Sequence, residues 1–177
     1  VYTMKYLTRY VREIMYGGND GIITTFAIVA GFTGAHINVA DKAGISIMPV
    51  LLFGLANLFA DGLSMSLGNF LSIRTERETT HDTRQGDKHP IISSAVTFCS
   101  FIAFGYIPLI PFFLDYYSTQ MLFISSMLAT LSALILLCIV RWKVTGKKAL
   151  RSIAEVVIVG SIAATAAFLV GTLFATS

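Results

Sequence analysis

The sequence predicts an all-α integral membrane protein with five transmembrane helices in one domain. Three observations carry that expectation. Of the 177 residues, 55% are hydrophobic and only 13% charged, with a mean hydropathy of +0.73. A soluble globular chain is about 25% charged, so this one cannot cover itself with an ordinary water-facing surface. Five apolar stretches each approach the roughly 20 residues that a helix needs to cross a bilayer core. The basic residues, finally, gather on one side of those stretches.

The first span is expected at residues 21–40 and the second at about 45–73, which is longer than a bilayer requires and should tilt or project into water. The third covers 91–114, with Pro108 and Pro111 near its end. The fourth covers 121–140 and the fifth 153–174. Five crossings put Lys5, Arg9 and Arg12 on the same side as Arg74, Arg77, Arg84 and Lys88 of the second loop. Arg141, Lys143, Lys147, Lys148 and Arg151 of the fourth loop join them. That side holds twelve of the thirteen basic residues, and only Lys42 falls opposite. Cytoplasmic loops carry the excess of Lys and Arg, so the N-terminus is expected in the cytoplasm. The net charge of +3 is therefore a topology signal and not a nucleic-acid footprint. No signal peptide is read in the mixed polar and aromatic first ten residues. Cys99 and Cys138 lie inside apolar runs, as core residues do. No CxxC or Cys/His cluster suggests zinc or a disulfide framework.

An ionisable group inside a bilayer costs roughly 2.5–3.5 kcal/mol on insertion scales, and two segments carry such groups. In VREIMYGGNDGIITTFAIVAG, Glu13 and Asp20 are two helical turns apart and can share a face. Asp20 could serve function there, or Asn19 or Asp20 could cap the first helix. Gly17, Gly18 and Gly21 hint at a bend. In LFGLANLFADGLSMSLGNFLSIRTERE, Asn57, Asp61, Met65 and Asn69 fall four residues apart and form one polar stripe. Asp61 is either a cation or proton site or a structural hydrogen-bonding group. Beside Asp61 and Asn57, the Met65 thioether becomes a plausible soft ligand, which favours transition metals over Mg²⁺ or Ca²⁺. Carboxylate, amide and thioether together suit a weak, exchangeable site that can release its ion.

No Ser/His/Asp set, HExxH or Walker loop is present, so no enzyme is expected. His36, His81 and His89 read as surface residues. In the loop 74–90, Glu76, Glu78, His81, Asp82, Asp87 and His89 are either a solvated charged turn or a weak capture site near the pore mouth.

The segments VREIMYGGNDGIITTFAIVAGFTGA and LANLFADGLSMSLGNFLSIRTERE resemble the vacuolar iron transporter family. The resemblance covers the first two spans well and the rest in pattern. It implies five spans per subunit and a homodimer with the cation path along the two-fold axis. Fe²⁺ or Mn²⁺ would leave the cytoplasm, in exchange for protons. It implies Asp20 and Met65 as metal ligands, one pair from each subunit. Asn57 stands where the family has a glutamate, and Asp61 would take over its charge. Glu13, Asn57 and Asp61 would line the path, with Asp61 or Glu13 carrying the counter-proton. Many members have a glutamate-rich cytoplasmic domain between the second and third spans. Here only the loop 74–90 remains, so this is read as a short, prokaryote-like member, expected in a cell (inner) membrane. The expected partners are divalent metal ions, protons, the lipid bilayer and a second copy of the chain, with no nucleic acid and no permanently bound cofactor. Two alternatives stay open: a non-transporting assembly or regulatory subunit, and a cation channel without proton coupling.

Overall fold

The computed structural model describes residues 2–36, 47–79, 89–114, 119–146 and 149–175, and among these every regular element is helical. In chain order they are α1 (Tyr2–His36), α2 (Ile47–Thr79), α3 (Pro90–Gly105), a 3₁₀ segment (Ile107–Phe113), α4 (Thr119–Thr145) and α5 (Ala149–Ala175). The protein is an integral, multi-pass membrane protein. Helices α2, α4 and α5 are long and apolar enough to cross a membrane, and α3 with the 3₁₀ segment makes a fourth span if the bent pair counts as one.

The surface is apolar where that of a water-soluble protein would be polar. Leu63 and Leu67 of α2, Leu128 and Ile135 of α4, and Ile162 and Phe174 of α5 are exposed. Glu13, Thr25, Ser93, Thr97, Ser126 and Thr130 are buried. Lipid solvates the first set at no cost, while polar groups in an apolar medium must find partners inside the protein. Trp142 is exposed between Arg141 and Lys143, as an aromatic anchor at a membrane surface would be.

Helix α1 is the centre, touching α2, α3, α4, α5 and the 3₁₀ segment. It is absent from the helices apolar enough to span by composition. Its second half mixes glycine, threonine, Asn19 and Asp20 with its apolar residues, which a helix screened from lipid by its neighbours can tolerate. Two sequence expectations are corrected here. Asn19 and Asp20 are not caps: the helix starts at Tyr2, and both lie in its interior. The cluster Gly17, Gly18 and Gly21 does not interrupt it: the helix runs unbroken from Tyr2 to His36, and these glycines admit neighbours. A Cβ on Gly17 would meet the Thr97 carbonyl of α3, one on Gly21 the Phe101 carbonyl, and one on Gly34 the Phe168 carbonyl of α5. Small residues at such crossings let backbones approach, and van der Waals packing then drives association in lipid.

The third expected span breaks. α3 and the 3₁₀ segment meet at Tyr106 with a bend of 42°. Pro108 and Pro111 lack the N–H groups that would continue the α-helix. Ser126 of α4 donates to the Pro108 carbonyl at 2.7 Å, so that buried acceptor is satisfied. Val29, Val50, Leu109, Phe112 and Leu122 pack around this level and tie α1, α2, the 3₁₀ segment and α4 together. Ile22, Ala133, Leu134 and Leu137 form a second cluster between α1 and α4.

Candidate functional site

The polar residues of α1 and α2 meet along one seam, and α3 closes its third side. Because α1 and α2 run past each other, the seam has two levels.

The first level holds Asp20, Asn57 and Asp61. The Asn57 Nδ2 donates to the Asp61 Oδ2 at 2.8 Å, one turn along α2. Asp61 also lies within electrostatic reach of Asp20 across the α1–α2 contact. Asp20 and Asp61 are both partly buried. Thr24 ties its hydroxyl to the Asp20 carbonyl at 2.8 Å. The side-chain oxygen of Asn19 is buried without a hydrogen-bond partner. Two carboxylates in partly apolar surroundings repel unless a proton or a cation sits between them.

The second level holds Glu13 and Met65, which line a cavity of about 400 Å³ together with Arg12, Tyr16, Asn69 and Thr97. Glu13 is only 4% exposed and accepts a 2.7 Å hydrogen bond from the Ser93 hydroxyl. A second cavity, of about 590 Å³, reaches Asn57 from the opposite direction between Phe32, Phe53, Gly171 and Phe174. Along α2 the Asp61 carboxylate thus falls between two cavities, one at Met65 and one at Asn57.

The structure therefore brings Asp61 to Asn57 and towards Asp20, and Met65 to Glu13. Asp20 is not among the residues lining the Met65 cavity. Among the described residues, no three Asp, Glu, His or Cys side chains come together as a ready metal cluster.

Of the capture residues, Glu76 and Glu78 are not in a loop but on the exposed end of α2, which continues to Thr79. The Arg74 Nε pairs with the Glu78 Oε1 at 2.9 Å, both side chains about two-thirds exposed. Such an exposed i,i+4 pair is worth only about 0.3–0.5 kcal/mol. His81, Asp82 and Asp87 lie outside the described residues. His89 is exposed just before α3.

Sequence reasoning gave no role to Ser93 and Thr97, although they recur with Ser100 at 93, 97 and 100, a helical spacing, in the apolar segment PIISSAVTFCSFIAFG. All three are buried. That spacing was the available signal.

Comparison with known proteins now decides the family. The model of the VIT family matches residues 11–89 and 80–172, nearly the whole chain. The chain belongs to the VIT family. A vacuolar iron transporter of Toxoplasma gondii is 38% identical over 79 residues, covering 45% of this chain and 24% of that protein. A vacuolar iron transporter of Plasmodium berghei is 34% identical over 82 residues, 46% of this chain and 27% of that protein. These matches thus span about a quarter of those relatives' lengths. Vacuolar iron transporter 1 of Arabidopsis thaliana is 25% identical over 228 aligned positions, covering 94% of this chain and 88% of that protein. The two matched segments of the family model meet at residues 80–89, the stretch where the sequence expects a shortened cytoplasmic region.

Proposed function

We propose that this VIT-family chain carries a divalent transition-metal cation, Fe²⁺ or Mn²⁺, out of the cytoplasm in exchange for protons. The observation that carries the reading is the α1–α2 seam, with carboxylates at Glu13, Asp20 and Asp61 and cavities meeting it at Met65 and at Asn57. The similarity to vacuolar iron transporters supports iron as the cargo. With α1 taken as the fifth crossing, the Lys and Arg asymmetry supports a cytoplasmic N-terminus and a cytoplasmic mouth beside Arg12.

In this reading Asp20 and Met65 bind the cation at successive levels of the seam, Asn57 and Asp61 line its path, and Glu13 or Asp61 takes up a proton once the cation has left it. One chain offers too few donors for a closed shell, so a two-fold dimer supplies the rest, as an isologous interface places equivalent residues together. Ala56, Ala60, Ser64 and Gly68 form an exposed small-residue edge on α2 beside the polar stripe, and nothing would obstruct a Cβ at Gly68. Such an edge suits close helix pairing in lipid.

The test is reconstitution into vesicles holding one metal-sensitive and one pH-sensitive dye. Fe²⁺ or Mn²⁺ movement with opposing proton movement is the expected result. Metal movement without protons would make the protein a channel. No flux from folded, dimeric protein would overturn transport altogether. The Asn69–Thr97 hydrogen bond between α2 and α3 favours one rival, in which the stripe only holds helices together. Asp61→Leu then changes dimer stability, with no flux to lose.

A further inference from the structure

The side of the Glu13–Met65 cavity formed by α3 is held by a directed hydrogen-bond relay. The Thr97 hydroxyl donates its proton to the Ser93 carbonyl at 3.0 Å. A hydroxyl has one proton, so toward any other neighbour Thr97 can only accept. The Asn69 amide meets that oxygen at 2.9 Å. Asn69 must therefore turn its NH₂ to Thr97, and this fixes which end of the amide points elsewhere. Asn69 lines the cavity with Glu13 and Met65, and with its NH₂ engaged its Oδ1 is the atom it can offer an ion there. The Ser93 hydroxyl meanwhile holds Glu13 at 2.7 Å. One turn of α3 thus orients a carboxylate and an amide oxygen on the two facing helices.

We infer that Thr97 is a positioning residue that makes this cavity a cation site of mixed donors: the Glu13 carboxylate, the Asn69 amide oxygen and the Met65 thioether. This deepens the transport reading and rests on it only for the ion's destination. Arg12 is exposed at the rim of the same cavity. If the relay were broken, the amide could turn and present N–H donors, which repel a cation. Groups that orient metal ligands in this way cost about 10-fold to 100-fold in affinity when removed.

The experiment measures binding of Mn²⁺ and Cd²⁺ to the full chain in lipid nanodiscs, with flux followed separately in vesicles. Thr97→Val keeps the shape and removes the acceptor. It is expected to weaken Mn²⁺ by about 10-fold or more, while Thr97→Ser stays near wild type. Cd²⁺ should suffer less, because the thioether that suits a soft ion is untouched. A change in the Mn²⁺/Cd²⁺ ratio is something a general loss of packing would not produce. If Thr97→Val does not fold, Asn69→Leu removes the oxygen directly and must shift the same ratio. Equal Mn²⁺ binding by wild type and a folded Thr97→Val, or by Asn69→Leu, overturns the relay even if wild type transports. Absence of Mn²⁺ binding to wild type overturns the cavity as a cation site. Binding with the expected ratio shift, but without flux in vesicles, leaves the relay standing and sinks the transport reading instead.

Discussion

The two sides of α1 differ in what they bury. Toward α2 and α3 it places Glu13 on Ser93 and Asp20 within electrostatic reach of Asp61, beside the Asn69–Thr97 bond that joins those two helices. Toward α4 and α5 it meets the side chains of Ala133, Leu134, Leu137, Val156 and Val157 and the Phe168 carbonyl. A bilayer supplies no hydrophobic force between helices, so the second side needs only good fit. The first side carries groups that are costly in lipid and must be matched one by one. In the proposed reading the polar side is where the cation passes, and the apolar side is where the bundle is held.

Substitutions can break this division, and the largest effect belongs to the polar side. Asp20→Ala and Asp61→Asn should each reduce vesicle metal flux to background while the protein remains folded and dimeric. Unchanged flux in both would remove these carboxylates from the path. Next in size is the close helix contact. Gly21→Val places methyl groups against the Phe101 carbonyl of α3 and should prevent stable folding, seen as aggregation on size-exclusion chromatography. On the scaffold side, Ser126→Ala leaves the Pro108 carbonyl without its donor. It should cost about 1–3 kcal/mol, read as a lower melting temperature, with flux per folded molecule retained. The smallest effect is at the exposed end of α2. Glu78→Gln removes a solvated ion pair with Arg74 and should alter stability by less than about 0.5 kcal/mol. A marked loss of metal uptake there would revive Glu76 and Glu78 as a capture site.

The peripheral helices were legible in the sequence because lipid exposure demands little but length and apolarity. The expected 121–140 and 153–174 fall inside α4 and α5. The polar stripe 57–61–65–69 was legible because it repeats every four residues on one helix. The capping alternative for Asn19 and Asp20, and the part played by the glycines of α1, could not be judged locally. A glycine that bends a helix and one that admits a neighbour look alike until the neighbour is placed, and Thr97 and Phe101 lie some 80 residues further along the chain. The pairing of Met65 with Glu13, like the role of Ser93 and Thr97, depends on how three helices align. No spacing within a single segment encodes that alignment.

The most direct measurement sets Asp61→Asn against Ser126→Ala, recording metal flux and melting temperature on the same reconstituted preparations. The account predicts that Asp61→Asn abolishes flux with little loss of melting temperature, while Ser126→Ala lowers the melting temperature and still transports. Flux that survives in Asp61→Asn, or that falls only in proportion to the melting temperature in both variants, would contradict it and leave the seam as helix packing.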